Sequence, residues 1–497
     1  MPSNDAAPAA PRLHPFKLSV FLAGLLLAIA PAQAEWNALE NLQRGGAVVS
    51  AAALDLDTGT PIAVLNADTR LTPASLTKLA VAAAALEVWP ADKSFQTRIL
   101  GTGAFHEGQI DGDLYLHGSG DSTLDHLALW SLAAQLKGGG VTAVSGKLIV
   151  DTAPFGPLGC ETQDRCDALQ KSSTAYTAPL SALAVDYGNW CVAVRPTRAG
   201  EPAVVTLCGA AQSPIPVDGV IKTVRVGGRP TFWVERYTVN GLDALRVGGE
   251  IAPGGGTEMY RSMSDPALGA GQVLGETLRE IGIRVGGPIM VSHAGVPAGA
   301  YVLAENEGLS LKEQLGRMLR YSNNYVADML TLNMAAALMP KPPTQLADAA
   351  RVLSDFIAGI NTDGRRGQRS APPLFSGSGL TPENQISADD LVALLASQYR
   401  NPRNFPAFYG GLVVPRQAPF LFLRQGNSAW LDRVALKTGT MDDPHSVCGI
   451  AGYLRKRSGG WIAFAAIVNG GPRVRHVPLY KAMEAARADV DALLAKY

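Results

Sequence analysis

The feature that most constrains the fold is a helical segment at 75–89, which is apolar on nearly every face. A helix without a polar face is buried within a core rather than laid on a surface. The composition allows this, because 47% of the residues are hydrophobic and only 17% are charged. Such a chain has enough apolar side chains for sizeable cores and too little charge for intrinsic disorder. We therefore predict a folded protein in which this helix is central.

The order of the predicted elements indicates an α/β domain interrupted by a long insertion. A hairpin is predicted at 47–66, whereas residues 97–290 are rich in glycine and short β-type runs. Helices are predicted at 75–89, 124–137, 268–282, 310–321, 323–339, 344–359, 387–398 and 477–496, and late strands at 433–441, 447–455 and 461–469. We predict an α/β (α+β) fold with an antiparallel sheet flanked by helices. Its parts are a first segment at 35–96, a mostly-β inserted region of two subdomains at 97–290, and a second segment at 291–497.

Three short motifs carry the candidate chemistry. Residues 75–78 (SLTK) form S-x-x-K, residues 322–324 (SNN) form S-x-N, and residues 437–439 (KTG) form K-T-G. At ~5% usage per residue, each of the first two is expected about once in 500 residues by chance, and K-T-G about 0.06 times. All three follow the chain order of a known active-site serine signature, so we treat them as one constellation.

Ser75 and Lys78 are predicted to be a nucleophile and its base. Ser75 opens the apolar helix, so Lys78 lies three residues on and on the same face. A serine hydroxyl is a poor nucleophile until a base takes its proton, and a lysine in a dry pocket beside other cations has a lowered pKa. The alternatives are a helix cap for Ser75 and a solvated lysine for Lys78. The second fits poorly with an otherwise apolar helix.

Ser322 and Asn324 are predicted to complete the catalytic group. They point the same way if the segment is extended, where the hydroxyl could relay a proton and the amide could hold a substrate carbonyl or Lys78. The alternative is that Ser322 is the N-cap of the helix that follows. Residues 321–323 also fit the Y-x-N pattern of some β-lactamases.

Lys437, Thr438, Gly439 and Thr440 are predicted to bind substrate from a β-run. Lys437 supplies positive charge and Thr438 a hydroxyl for a substrate carboxylate. Gly439 leaves room for a substrate backbone to approach the strand. The backbone N–H groups of Ser75 and Thr440 would form an oxyanion hole. The alternative is an edge-strand lysine followed by a turn glycine.

The sequence argues against metal and nucleic-acid chemistry. The seven histidines are scattered, and none lies in an H-x-x-x-H or H-E-x-x-H pattern, so we predict no metal site. Lysine plus arginine equals aspartate plus glutamate, at 43 residues each, so no global basic field would attract nucleic acid.

The N-terminus predicts export. A basic lead precedes an apolar run at 18–30, and an A-x-A cleavage site follows at 32–34. These are the parts of a secretory signal peptide. The apolar run is shorter than the ~20 residues that a membrane-spanning helix needs. We predict a signal peptide at 1–34, a mature start at Glu35 without a stable membrane span, and a periplasmic or secreted location.

The cysteines suit an oxidising compartment. Cys160 and Cys166 lie in one short segment, and Cys191 and Cys208 flank a turn at which a hairpin would place them opposite each other. Disulfides at these places suit an exported protein, whereas no C-x-x-C supports a metal site. Cys448 is left over, and we predict a buried free thiol in a strand.

The motifs and their spacing resemble those of penicillin-binding proteins and serine β-lactamases. They are most similar to the class C low-molecular-mass D-alanyl-D-alanine carboxypeptidase/endopeptidases. From Ser75 to Ser322 the chain runs 247 residues, more than a simple β-lactamase-like domain needs, and that family carries a large insertion there. Residues 322–328 also look like the family's segment, which favours S-x-N over Y-x-N. The resemblance covers essentially all of 35–497.

The resemblance implies a β-lactamase/transpeptidase-like domain and a serine-type D-Ala-D-Ala carboxypeptidase/endopeptidase that needs no cofactor. Its partners would be peptidoglycan peptides ending in D-Ala-D-Ala, with β-lactam antibiotics as covalent inhibitors. The alternatives are a β-lactamase or esterase on the same fold, and a degenerate, non-catalytic wall-binding protein.

The chain departs from the family's pattern at 376–382 (SGSGLTP), where D-G-S-G-L-S-R is common. Ser376 replaces the acid and Pro382 replaces the arginine. Asp442 adds an acid shortly after K-T-G. We expect these departures to bear on substrate preference rather than on the core mechanism.

Overall fold

The computed structural model describes residues 36–162, 165–166, 174–210, 212–225, 227, 230–363 and 370–497. The predicted signal peptide at 1–34 lies outside these residues. Within the described part of the chain, no helix combines the length and the hydropathy that a membrane span requires.

The secondary structure alternates between helical and strand-rich stretches. The strands are β1 (Val48–Asp55), β2 (Pro61–Leu65), β3 (Gln96–Gly101), β4 (Phe105–His106), β5 (Gln109–Ile110), β6 (Leu114–Gly118), β7 (Ala143–Val144), β8 (Leu148–Asp151), β9 (Asn189–Arg195), β10 (Val204–Leu207), β11 (Val217–Gly219), β12 (Lys222–Thr223), β13 (Trp233–Val239), β14 (Leu242–Gly248), β15 (Glu250–Ile251), β16 (Thr257–Ser262), β17 (Arg284–Val285), β18 (Ile289–Ser292), β19 (Tyr301–Glu307), β20 (Val434–Met441), β21 (Val447–Arg455) and β22 (Trp461–Asn469). The helices are α1 (Asn37–Arg44), α2 (Thr77–Val88), α3 (His126–Gly138), α4 (Pro266–Glu280), α5 (Leu311–Arg320), α6 (Asn324–Leu338), α7 (Leu346–Ala349), α8 (Arg351–Asp363), α9 (Ala388–Tyr399), α10 (Phe405–Gly411), α11 (Ser428–Arg433) and α12 (Leu479–Lys496).

One antiparallel sheet joins the two ends of the chain. Its strand order is β2-β1-β22-β21-β20, so strands from the start of the chain pair with strands from its end. Helices α1 and α12 cover one face, and α9 packs on β1 and β22 at the other. The predicted antiparallel sheet flanked by helices is therefore confirmed, and strand β20 lies at its open edge.

Helix α2 is enclosed as the sequence predicts. It is buried from Thr77 to Leu86 and packs against α5, α6, α8 and α9. Leucine and alanine side chains of α2 share one core with the sheet and these helices. This enclosure holds the start of α2 immobile beside strand β20, where the candidate site lies.

The residues between α2 and α5 form separate sheets. Two of them are ordered β18-β8-β6-β3-β19 and β17-β7-β5-β4, and shorter sheets are built from β9 to β16. Helices α3 and α4 pack against these strands around a second hydrophobic core. Strand β19 pairs with β3, so the predicted boundary at 290 falls inside a sheet. We propose that the inserted region runs to 307.

Most local predictions are confirmed. The hairpin at 47–66 forms from β1 and β2, and most predicted helices end within two residues of their predicted bounds. The helix predicted at 344–359 is instead divided into α7 and α8.

The cysteines pair at both predicted places. Disulfides join Cys160 to Cys166 and Cys191 to Cys208. The antiparallel register of β9 and β10 sets the second pair opposite each other, as expected. Cys448 is a buried free thiol in β21, and burial raises its pKa to about 12.

Candidate active site

Ser75 lies in a tight 3₁₀ turn that leads into α2. The turn begins with Ala74 in the left-handed region, at φ 46°. A residue with a side chain seldom adopts this conformation, and such strain is concentrated at functional sites. Ser75 itself is half-buried at the start of the otherwise enclosed helix. Its hydroxyl is thus held at a fixed position that remains accessible.

Two glycines let neighbouring segments close around this turn. A Cβ at Gly439 would lie 2.4 Å from the Pro73 carbonyl oxygen, and one at Gly379 would lie 1.9 Å from the Ala74 carbonyl oxygen. The sequence predicts that Gly439 makes room for a substrate backbone. The structure adds a second reason for glycine here, because the turn that carries Ser75 is the close neighbour of Gly439.

Lys78 Nζ lies within hydrogen-bond distance of three groups, all of them uncharged. Its Nζ lies 2.8 Å from Ser75 Oγ, 2.8 Å from Asn324 Oδ1 and 2.6 Å from the Ser378 carbonyl oxygen. The side chain is completely buried. Burial holds the Lys78 pKa well below its usual value, and the charge of Lys437 lowers that pKa further. Both effects favour the neutral amine, which can accept a proton from Ser75.

The S-x-N motif forms a turn between α5 and α6, so the extended conformation that would point Ser322 and Asn324 the same way is not present. Ser322 has φ 56°, and Asn324 is the first residue of α6. The alternative role of Ser322 as helix cap is also wrong, because the Asn323 side chain accepts the N–H of Val326 at 3.0 Å. This leaves the Ser322 hydroxyl to accept a hydrogen bond from Lys437 Nζ at 3.0 Å.

Lys437 links the edge strand to the S-x-N turn. It is buried, with 1% of its surface exposed, and also donates to the Thr438 carbonyl oxygen at 2.6 Å. Burial lowers its pKa to about 7. An anion placed beside Lys437 would favour the protonated form again, since an opposite charge stabilises an ammonium.

The open edge of β20 faces the site. The N–H and C=O groups of Leu436 pair with Val413, away from β21. In an antiparallel ladder, backbone groups alternate between the two sides, so those of Thr438 and Thr440 point the same way as those of Leu436. Thr440 is exposed. Its N–H is therefore directed to the side on which an oxyanion hole is predicted.

The structure thus brings the predicted catalytic residues together. Ser75, Lys78 and Asn324 form one hydrogen-bonded group, and Ser322 with Lys437 forms a second beside it. Thr438, Gly439 and Thr440 follow on the same edge strand.

Sequence reasoning missed several polar contacts of this group. Asp328 Oδ1 accepts the N–H of Ser378 at 2.7 Å, and Asn324 Nδ2 donates to the Tyr176 carbonyl oxygen at 3.2 Å. Arg165 lies beside Asp328. The sequence could have pointed only to Asp328, because it is the single charged residue in the mostly apolar α6.

The segment that departs from the family's pattern packs under the site. Ser376 is fully buried, and its Oγ accepts the N–H of Gly379 at 3.1 Å. Pro382 contributes its carbonyl oxygen, which accepts from Thr72 Oγ1 at 3.0 Å. Asp442 is exposed at the end of β20. Ser376 therefore closes the turn that positions Ser378, where the family often has an acid.

One cluster of potential metal ligands occurs among the described residues, at Cys191, Cys208 and Glu258. The two cysteines are joined in a disulfide and offer no thiolate. The cluster therefore lacks the chemistry of a metal site.

Residues 35–496 match the D-Ala-D-Ala carboxypeptidase 3 (S13) family. The chain belongs to this family. A D-alanyl-D-alanine carboxypeptidase of Actinomadura sp. strain R39 is 31% identical over 450 residues, which cover 87% of this chain and 79% of that protein. The predicted activity, a penicillin-binding serine D-Ala-D-Ala carboxypeptidase, is confirmed.

Solved structures confirm the fold. Penicillin binding protein 4 (dacB) of Haemophilus influenzae matches with a TM-score of 0.71 at 22% identity, covering 92% of this chain and 99% of that chain. The same protein in complex with a novel β-lactam matches with a TM-score of 0.68 at 21% identity, with the same coverage. The family match and the Actinomadura relative, together with this shared fold, confirm the resemblance to class C low-molecular-mass penicillin-binding proteins.

Proposed function

We propose that this D-Ala-D-Ala carboxypeptidase works through an acyl-enzyme on Ser75. The observation that carries the proposal is the environment of Lys78, whose Nζ lies 2.8 Å from Ser75 Oγ and contacts uncharged groups in a buried pocket. A buried lysine with a lowered pKa is a competent general base at neutral pH. Lys78 accepts the proton of Ser75 as Oγ attacks the carbonyl carbon of the penultimate D-Ala.

The oxyanion that forms in this step is bound by the N–H groups of Ser75 and Thr440. Support comes from the outward direction of the Thr440 backbone at the edge of β20. Such fixed donors stabilise a tetrahedral intermediate because they need no reorganisation during the reaction.

The Ser322 hydroxyl delivers a proton to the leaving amine as the C–N bond breaks. It lies between the site and Lys437 Nζ, which donates to it at 3.0 Å and can resupply the proton. Terminal D-Ala then departs. Water attacks the ester carbonyl and gives a proton through the Ser322 hydroxyl to Lys437, the bond to Ser75 Oγ breaks, and Lys78 returns its proton to Ser75 Oγ.

Lys437 and Thr438 bind the terminal carboxylate of the substrate. A buried ammonium with a pKa of about 7 gains stability from an adjacent carboxylate. Peptidoglycan peptides that end in D-Ala-D-Ala have this carboxylate. In a crosslink between D-Ala and a diamino acid, the diamino acid supplies a carboxylate next to the bond that is cut. The same site can therefore act as carboxypeptidase or endopeptidase.

β-Lactams are proposed to acylate Ser75 as covalent inhibitors. A Haemophilus influenzae protein of the same fold is known in complex with a novel β-lactam. In this sequence no E-x-x-x-N follows S-x-N, so the separate glutamate that class A β-lactamases use for deacylation is not indicated. We expect a long-lived adduct.

Export is proposed from the N-terminal sequence. The basic lead, the apolar run at 18–30 and the A-x-A site at 32–34 predict cleavage before Glu35 and a periplasmic or secreted enzyme. N-terminal sequencing of the secreted protein tests this directly, and material that still begins at Met1 would contradict it.

The catalytic proposal is tested with a tripeptide that ends in D-Ala-D-Ala. The mature protein should release D-Ala, and Ser75→Ala should release none. A matched control is Ser458→Ala, because Ser458 lies in an exposed turn between β21 and β22. Equal turnover by Ser75→Ala and by the control would contradict the proposal.

A further inference from the structure

A buried arginine of the inserted region reaches the helix that carries Asn324. Arg165 precedes Cys166 in the loop closed by the Cys160–Cys166 disulfide. Its Nη2 lies 2.8 Å from Asp328 Oδ2 on α6, and neither side chain is exposed. The two atoms meet as an ion pair rather than as a well-aligned hydrogen bond. Arg165 Nε also donates to the Ala178 carbonyl oxygen at 3.0 Å, which fixes the guanidinium.

Asp328 connects this arginine to the candidate base. Its Oδ1 accepts the N–H of Ser378 at 2.7 Å, and the carbonyl oxygen of Ser378 accepts from Lys78 Nζ at 2.6 Å. Asp328 also lies one helical turn after Asn324, which accepts a second hydrogen bond from Lys78. The carboxylate therefore holds one of the groups that orient Lys78, without touching Lys78 itself.

Charged groups near Lys78 have opposite effects on its pKa. A buried carboxylate nearby favours the protonated ammonium, which cannot accept the proton of Ser75. The charged groups that act on Lys78 are Lys437 from β20, Asp328 from α6 and Arg165 from the disulfide loop. Asp328 raises the Lys78 pKa, whereas Arg165 and Lys437 lower it. Arg165 thus opposes the one anion among these three groups.

We propose that Arg165 is a positioning residue for acylation, which cancels the charge of Asp328 so that Lys78 remains a neutral proton acceptor at lower pH. Asp328 holds the Ser378 peptide, and Arg165 offsets the effect of the Asp328 charge on Lys78. The proposal rests on the proposed role of Lys78 as base. It also gives the inserted region a direct part in the chemistry of Ser75.

The test is the pH dependence of penicillin acylation, measured as the second-order rate of adduct formation by mass spectrometry. The acid limb of this profile reports the protonation of the base in the free enzyme. Arg165→Gln should move the limb to higher pH by about one unit, because the charge of Asp328 is then unopposed. Asp328→Asn, which keeps an oxygen for the Ser378 N–H, should move it to lower pH.

Two further variants separate charge from packing. The double variant Arg165→Gln/Asp328→Asn should return the limb to near the wild-type position, and Arg165→Lys should leave it there because the positive charge is kept. Arg198→Gln, on an exposed turn of the inserted region, is the matched control and should not move the limb. A merely structural role would lower the rate at every pH without moving the limb.

The proposal is overturned if the limbs of Arg165→Gln and Asp328→Asn coincide with that of the wild type. Should Arg165→Gln yield no soluble protein, Asp328→Asn is compared with the double variant, since these two differ only in the charge at 165. Lys78→Ala is included to separate the two hypotheses. If Lys78→Ala acylates as fast as the wild type, the proposed role of Lys78 as the base is wrong. A failure of the pH test would then come from the proposed function and not from the role of Arg165.

Discussion

Helices α2 and α6 are similar in composition, but the ionisable side chain buried in each has different surroundings. Each is mostly apolar over its enclosed length and has a single ionisable side chain there, Lys78 in α2 and Asp328 in α6. Asp328 faces the guanidinium of Arg165 and a backbone N–H. Lys78 faces a hydroxyl, an amide oxygen and a carbonyl oxygen, all uncharged. A buried charge with a counter-ion supports the structure, whereas one without a counter-ion is poised to give up its proton and act as a base.

The largest expected effect concerns the nucleophile that Lys78 serves. Ser75→Ala should abolish both penicillin labelling and release of D-Ala, because Ser75 Oγ is the hydroxyl that Lys78 Nζ contacts. Mass spectrometry after incubation with penicillin measures the first effect. If penicillin still labelled the Ser75→Ala protein, the nucleophile would be another residue, and the contrast drawn between Lys78 and Asp328 would not hold.

Removing the charge of α2 should affect chemistry above all. Lys78→Ala should slow acylation by about 10²–10⁴-fold, the usual loss when a general base is removed. Stopped-flow or quench measurements of the penicillin reaction give the rate. Asp328→Asn, at its own optimum pH, should retain far more of the rate. Equal losses would mean that the two helices do not differ as described.

Removing the charge of α6 should affect stability above all. Asp328→Asn leaves Arg165 buried without its counter-ion, and breaking such a pair costs about 3 kcal/mol or more. Lys78→Met fills similar space and removes a buried amine, so its unfolding free energy should be equal to or above that of the wild type. Chemical denaturation of both variants checks this contrast, which fails if Lys78→Met is the less stable of the two.

A smaller effect should appear in the pH dependence of substrate use. Lys437 has a pKa of about 7 in the free enzyme, so it loses its positive charge above that pH. Therefore kcat/KM for a D-Ala-D-Ala peptide should fall above pH 7, by up to about tenfold per pH unit. Lys437→Arg keeps its charge throughout this range and should remove the basic limb. A limb that persists in this variant would assign it to another group.

The sequence predicts the local part of the site well. Ser75 and Lys78 are three residues apart on one helix, so their contact follows from helical geometry alone. The burial of α2 follows from its lack of a polar face. The other two motifs then indicate which distant residues join Ser75 and Lys78 in the site. The spacing of the motifs in the chain does not show through which contacts they do so.

The remaining features depend on contacts that sequence patterns do not encode. Ser378 acts through its carbonyl oxygen, 300 residues from Lys78 in the chain, and any residue offers such a group. Ser322 adopts φ 56°, a conformation that its residue type does not favour and that the sequence pattern does not indicate. The partner of Asp328 lies in another region of the chain, on a loop that is recognisable only by its cysteines.

The central claim, that Ser75 is acylated with Lys78 as its base, is tested most directly by the intact mass of the penicillin-treated mature protein, followed by peptide mapping. A single stoichiometric adduct on Ser75 should persist long after free penicillin is removed, and Lys78→Ala should acquire it far more slowly. A rapid return to the unmodified mass with hydrolysed drug in solution would indicate a β-lactamase. An adduct on another residue would contradict the assignment of the nucleophile.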